Sequence, residues 1–271
     1  MNTDTRPEIF FHVGLERTAT TFFQKKVFPR LKGICYIKRR DHKRFRKIIA
    51  KTDHNKYLLS YEFFSIATTK LTEFARDYPD VKIIIVLRRQ DSLIASHYKR
   101  RVKNGTDLRF GEFFETDISC GRLTKQNLYL YENIEYIEKH FHNRPLVLLY
   151  DDFKRDPEKF LKRIMSYLGI SDHDQISFAP FHTSYNEKQM KVRLWFSRNF
   201  FIKEKKTIQS DRFRKLFHVY NRLLRHAIMY VSVMVPGFLI SEAPLIPAED
   251  LKRIRDLYKD DYERCKIFID G

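Results

Sequence analysis

Residues Val81–Leu87 read VKIIIVL, a run interrupted by a single lysine. A strand that is apolar on both faces must be covered on both sides, which is the situation of a central strand in a parallel sheet. Parallel neighbours cannot be joined by tight turns, so each crossover takes a dozen or more residues, usually a helix. This one segment therefore points to an α/β chain, and the rest of the sequence alternates to match. Ile9–Val13 reads as a first strand, followed by a helix from Thr20 to Phe28. Tyr57–Ser60 is a short second strand, followed by a helical stretch to Asp77. After Val81–Leu87 comes a helix over Ser92–Lys103, with Asp91 as N-cap and Gly105 as stop. Asn127–Phe141 is amphipathic, Leu146–Tyr150 is a further buried strand, and Phe160–Leu168 is a helix closed by Gly169.

The β signal fades from Ser171. Residues 187–230 are basic, aromatic and helical in pattern, and a last amphipathic helix is predicted over Pro247–Ile267. The expectation is one domain of 271 residues, with an α/β core over 8–170 and a mainly helical part over 171–271. Its sheet is mainly parallel and flanked by helices in three layers.

The formal net charge of +18 predicts anionic partners, among them nucleotides, acidic glycans, nucleic acid or an anionic membrane surface. Cys35, Cys120 and Cys265 are three in number and far apart, which gives neither a zinc spacing nor a disulfide framework. With the polar opening MNTDTRPE, this predicts a cytoplasmic protein without a signal peptide. The apolar run Ala227–Ile240, broken by Pro236-Gly237, falls short of the roughly 20 residues that span a bilayer. It reads as a buried helix, a pocket lining or, with the basic segment before it, a membrane-surface element over 212–240.

The segment "FFHVGLERTATT" (Phe10–Thr21) runs from an apolar strand through a tight loop into a helix. Such a loop binds anions, because first-turn amides and the helix dipole face the ligand. The usual nucleoside-triphosphate pattern ends G-K-[ST]. Here Ala19 stands for the glycine, Thr20 for the lysine, and a cation comes earlier, at Arg17. This spacing suits a shorter 5′-linked anion, and an ordinary strand–turn–helix is the alternative.

The same segment, continuing into "TTFFQ" (Thr20–Gln24), resembles the 5′-phosphosulfate loop of sulfotransferases that use 3′-phosphoadenosine 5′-phosphosulfate (PAPS), close to their bacterial and carbohydrate-specific branch. The resemblance implies a P-loop-kinase-like fold, PAPS as donor, adenosine 3′,5′-bisphosphate as product and no metal. It implies that Arg17 contacts the transferring sulfuryl group and bridging oxygen. Gly14, Thr18, Ala19, Thr20 and Thr21 would hold the 5′-phosphate. The chain departs from the pattern at Glu16, where proline is usual, and at Ala19, where glycine is usual.

The family's 3′-phosphate motif follows a central strand, and "VLRRQDSLIASHYKRR" is similar to it. Arg88 follows the strand, Ser96 comes eight residues later and Tyr98 two beyond. Arg88 has the fork that grips a phosphate, and Ser96 a hydroxyl donor. Gln90 replaces a usual proline and Ser92 a usual arginine.

Transfer to an alcohol needs a base, and Glu62 in "LLSYEFF" is the candidate. It lies at the carboxyl end of the second predicted strand, the edge where open α/β sheets bind ligands. A similar glutamate serves as base in the resembling family. The alternative is a helix cap formed by Glu62 and Ser60. His12 is the second candidate base, inside the first strand. Asp151 and Asp152 read as helix-capping or sheet-edge residues rather than metal ligands.

The expected function is sulfuryl transfer to the hydroxyl of a carbohydrate or glycolipid, with a hydrophobic small-molecule alcohol as alternative acceptor. A P-loop kinase or NTPase is a competing reading, weakened by the missing lysine. A basic nucleic-acid-binding protein is another. No nucleic-acid partner is expected if the loop holds PAPS.

Overall fold

The computed structural model describes residues 7–63, 69–117, 124–179, 185–200, 219–220, 223–224 and 226–269. These fall into two compact units. The first comprises Met1–Gln90, Arg122–Phe181 and Leu257–Gly271, and the second Asp91–Gly121 and His182–Asp256.

The first unit holds a five-stranded sheet in the order β2-β3-β1-β4-β5. Its strands are β1 (Glu8–Leu15), β2 (Cys35–Ile37), β3 (Lys56–Phe63), β4 (Lys82–Leu87) and β5 (Leu146–Leu149). Every pairing is parallel. Four strands fall where the sequence predicts them. The fifth, β2, has three residues, too few for a periodic signal. β1 is central, and the chain leaves it toward β2 on one side while the later strands build up on the other. That reversal opens a crevice at the carboxyl ends of the strands.

Alternation along the strands builds two cores. Phe11, Val13, Leu59, Ile83 and Ile85 point to one face, with Leu130, Ile134 and Ile137 packed there. Phe10, Leu58, Ile84, Val86 and Leu148 point to the other, against Phe22, Phe23, Phe28 and Ile164. Covering both faces is what makes β4 apolar throughout.

The first segment of that unit, ending at Gln90, carries the helices α1 (Thr20–Phe22), α2 (Phe45–Lys51) and α3 (Thr69–Asp77), and α4 (Gln90–Asn104) starts at the segment's last residue. α1 runs on through a π turn at Phe23–Val27 and a 3-10 turn at Phe28–Arg30. Residues 64–68, where a helix following Tyr57–Ser60 would begin, lie outside the described residues.

α4 begins one residue before Asp91, so Asp91 is not its N-cap. It is buried, bonds the Ser92 amide at 2.7 Å and pairs with Arg255 at 2.9 Å, both inside the second unit. The second unit continues with α5 (Phe110–Glu112) and its π turn Phe113–Asp117. The predicted Asn127–Phe141 helix is a 3-10 turn at Gln126–Leu128 followed by α6 (Leu130–His140) in the first unit. α7 (Tyr150–Arg155) and α8 (Pro157–Leu168) follow β5. Asp156 caps α8 by accepting from the Lys159 amide, and Gly169, at φ 60°, closes it.

The second unit also contains α9 (Glu187–Phe200) and residues 226–231, which are helical. Gln189 there donates to the Met229 carbonyl at 2.9 Å. The final predicted helix is divided into α10 (Ala248–Leu257) and α11 (Lys259–Lys266), broken at Tyr258. α11 belongs to the α/β unit. Its Asp261 accepts from the Leu130 and Tyr131 amides at the start of α6 and from Gln90 Nε2 at 2.7 Å. Burial raises its pKa despite these donors.

The run over 227–240 is not a buried helix. Ile228 and Met229 are buried, but Tyr230, Met234 and Phe238 are 72%, 83% and 86% exposed. Most of 212–226 lies outside the described residues, as does Cys120. Among the described residues, no helix is long and apolar enough to cross a membrane.

Candidate active site

The loop after β1 is built by its own side chains. Thr18 and Thr20 are buried, and their hydroxyls both donate to the Leu15 carbonyl, at 2.7 and 3.2 Å. A Cβ on Gly14 would lie 2.6 Å from both Cγ2 and Oγ1 of Thr20, so only glycine admits this closure. Arg17 and Ala19 take left-handed backbone conformations, at φ 67° and 62°. The two reversals expose Arg17 and leave the helix to start at Thr20. The Phe22 and Phe23 amides donate to the Ala19 carbonyl at 2.8 and 3.1 Å, and the amides that open a helix have no carbonyl a full turn before them. The Thr18 and Thr20 hydroxyl donors are directed inward. The exposed polar side chains of this loop are those of Arg17 and Thr21.

Glu62 lies directly beside this loop. In the β1–β3 ladder Gly14 is the register partner of Glu62, and His12 that of Ser60. β3 runs through Glu62 to Phe63, three residues beyond the predicted strand end. Ser60 is thus a strand residue and caps no helix: its Oγ accepts from Gln24 Nε2 at 3.0 Å and lies 2.9 Å from His12 Nδ1. Glu62 is 25% exposed and faces the Arg39 guanidinium at 3.8 Å.

His12 is wholly buried, edge-on to Phe23 and Phe28, and its Nε2 has no hydrogen-bond partner. Burial pushes its pKa down to about 3. The neutral His12 imidazole is sealed from solvent, whereas the Glu62 side chain is partly exposed.

On the other flank, Arg88 follows β4 and reaches back to the loop. Its Nη1 donates to the Arg17 carbonyl at 2.9 Å, and its guanidinium lies 4.5 Å from the Tyr150 ring centre. The first unit thus gathers Gly14, Arg17, Thr18, Ala19, Thr20, Thr21, Glu62 and Arg88 at one sheet edge.

Ser96 and Tyr98 belong to the second unit, on α4. Ser96 is 9% exposed. Tyr98 is fully buried against Phe110 and Phe113, donates to the Leu108 carbonyl at 3.0 Å, and burial pushes its pKa up to about 12. Its role in that unit is packing.

Asp151 and Asp152 lie in the first turn of α7 and pair with Lys154 and Arg155. No cluster of metal-ligating side chains occurs among the described residues. Sequence reading missed Arg39, because its pairing with Glu62 depends on the short strand β2 carrying it to the edge of β3.

A family model described as "Sulfotransferase family" matches residues 43–174, a span that includes Glu62, Arg88 and Ser96 and begins beyond the loop. Among solved structures, the crystal structure of a sulfotransferase from Alicyclobacillus acidocaldarius is 16% identical, with a TM-score of 0.52 over 71% of this chain and 92% of that one. Mouse sulfotransferase SULT7A1 complexed with PAP is 18% identical, covering 70% of this chain and 64% of that one, with a TM-score of 0.43. Retinol dehydratase in complex with retinol and PAP is 13% identical over 94% of this chain and 81% of that one, with a TM-score of 0.41. No curated protein matches the sequence. The parallel sheet has the fold of the bacterial sulfotransferase, and residues 43–174 match the sulfotransferase family model.

Proposed function

We propose that the protein transfers a sulfuryl group from PAPS to an acceptor hydroxyl, with Glu62 as base and Arg17 as the cation at the bridging oxygen. The observation that carries this reading is the register of Gly14 with Glu62, which sets a carboxylate beside an anion-binding loop. A base must be within hydrogen-bond reach of the proton it removes, and this neighbourhood meets that requirement for an acceptor entering from the crevice.

The residues fit the donor. Loop amides and Thr21 suit a 5′-phosphate, and Arg17 is exposed beside them. Arg88, already at the loop through the Arg17 carbonyl, suits a second phosphate. Ser96 is assigned to the 3′-phosphate on the sequence motif. In the reaction the acceptor oxygen attacks sulfur as the bond from sulfur to the bridging oxygen breaks. Glu62 takes the hydroxyl proton, and Arg17 stabilises charge on the departing adenosine 3′,5′-bisphosphate.

For the acceptor we propose a carbohydrate or glycolipid. The support is the exposed apolar surface at Tyr230, Met234 and Phe238, next in sequence to a basic segment, which suits a lipid-bearing substrate at a membrane surface. Calorimetric titration with adenosine 3′,5′-bisphosphate, AMP and Mg-ATP tests the donor site. Selective binding of the bisphosphate is expected. Binding of Mg-ATP alone would return the chain to the kinase or NTPase class.

A further inference from the structure

The ten residues Lys38–Lys47 carry seven cations and one carboxylate, Asp41. They leave the carboxyl end of β2 as a 3-10 turn over Arg39–Arg44 that runs into α2. The turn is anchored from beneath. Phe45 is buried against Phe74 and Tyr78, and the His42 ring stacks on Tyr61 at 4.9 Å. Anchoring these two rings turns the cations outward, and Lys38, Arg39, Arg40, Lys43 and Arg44 are all exposed.

Three of the seven cations have acidic partners: Arg39 with Glu62, Arg40 with Asp41, and Arg46 with Asp77. Lys38, Lys43, Arg44 and Lys47 form no ion pair among the described residues. So much like charge on one fixed turn repels itself and raises the local concentration of anions. The patch also begins at the candidate base, since Arg39 touches Glu62.

We propose that this turn is a subsite for an anionic group of the acceptor, making the acceptor an acidic glycan with carboxylate or sulfate near the hydroxyl that is modified. The assignment rests on the sulfotransferase reading of Glu62. Lys43 and Arg44 share their turn with Arg39, which lies 3.8 Å from the Glu62 carboxylate, so an anion seated on them belongs to a ligand that also reaches the candidate base. Nucleic acid is the weaker occupant. Single strands are held by bases stacking on accessible rings, and the rings of this segment are turned inward against Tyr61, Phe74 and Tyr78.

The test uses the full chain saturated with adenosine 3′,5′-bisphosphate. Three fluorescein-labelled probes are titrated in about 0.15 M salt: a hexasaccharide alternating glucuronate with N-acetylglucosamine, a neutral N-acetylglucosamine hexamer, and a short single-stranded DNA. The acidic hexasaccharide is expected to bind at least about tenfold tighter than the neutral one. The double substitution Lys43→Glu and Arg44→Glu is expected to remove that preference while bisphosphate affinity, measured on the same preparation, stays unchanged. Equal binding of the two saccharides, tighter binding of DNA, or a double variant that keeps the preference would overturn the subsite. If the unmodified protein does not bind the bisphosphate, the nucleotide reading falls and the subsite falls with it.

Discussion

Arg88 Nη1 donates a hydrogen bond to the Arg17 carbonyl at 2.9 Å, tying the end of β4 to the loop after β1 across 71 residues of sequence. The bond joins the two segments that the sequence marks as separate phosphate contacts. Arg17 is one of two non-glycine residues with left-handed backbone among the described residues, so a hold on its carbonyl steadies the reversal that presents its side chain. Replacing Arg88 by alanine is expected to weaken adenosine 3′,5′-bisphosphate binding roughly 10–100-fold, the range for losing hydrogen bonds to a charged group. Lysine should rescue little, since it cannot reproduce the fork. Calorimetry on both variants measures this, and an unchanged affinity would remove Arg88 from the site.

Glu62 makes the separate prediction that chemistry can be lost while donor binding is kept. Glutamine preserves its size and its place beside Gly14 but cannot take a proton. Turnover of PAPS with an accepted substrate is expected to fall roughly 10²–10⁴-fold, with bisphosphate affinity within a few-fold of the original protein. A Glu62→Gln enzyme with full turnover would end its assignment as base.

Ala19 departs from the family glycine at a position whose φ is 62°. A left-handed alanine is strained by roughly 1 kcal/mol, and glycine relieves that strain while adding freedom to the unfolded chain. Ala19→Gly is therefore expected to raise stability by up to about 1 kcal/mol, read as a higher urea midpoint. Gly14→Ala should act the opposite way. Its Cβ would collide with Thr20, whose hydroxyl closes the loop on Leu15. A loss of about 1–3 kcal/mol is expected, together with weaker bisphosphate binding.

The sequence exposed those parts of the site that local pattern controls. An apolar strand, a threonine-rich turn and an arginine at a strand end are short-range signals, and the structure puts Gly14, Arg17 and Arg88 at one edge. Contacts set by distant segments were hidden. Gln90, in place of proline, is buried and bonds Asp261, 171 residues away, which in turn caps α6. Arg255 neutralises buried Asp91 from 164 residues away. The three-residue β2 is defined by its partner β3 rather than by its own composition, and so Arg39 gave no warning of its place beside Glu62. Tyr98 belongs to a binding motif by spacing, yet its ring is spent on packing in the second unit.

His12 makes acid sensitivity predictable. Burial sets its folded pKa at about 3, below the ordinary histidine value of 6.5. Between these values the unfolded chain binds a proton that the native state refuses, so stability is lost as pH falls below 6.5. One such site removes roughly 1.4 kcal/mol per pH unit in that window. Urea midpoints taken between pH 7.5 and 5.5 (about 1 kcal/mol from this residue alone) should shift less in a His12→Gln variant. Glutamine keeps a polar partner for Ser60 but does not titrate. Equal slopes in the two proteins would show that the imidazole takes up its proton without unfolding.

The exposed side chains of Tyr230, Val231, Val233, Met234, Phe238 and Leu239 lie within ten residues that contain no charge. An apolar surface of this kind is unfavourable in water and, next to basic residues, suits the boundary of an anionic bilayer. One backbone carbonyl within the segment and one just after it are tied down, Val233 by Lys188 and Ser241 by Lys191, so the loop is held by α9 within its own unit. Sedimentation with vesicles containing phosphatidylserine is expected to carry the protein down, and neutral vesicles to carry less. Met234→Ser with Phe238→Ser should reduce vesicle binding at least about tenfold, because two large side chains no longer leave water, while bisphosphate affinity is kept. Undiminished binding by that double variant would mean that basic residues alone hold the protein to lipid. Absence of binding by the original protein would free this surface to be the wall of an acceptor pocket.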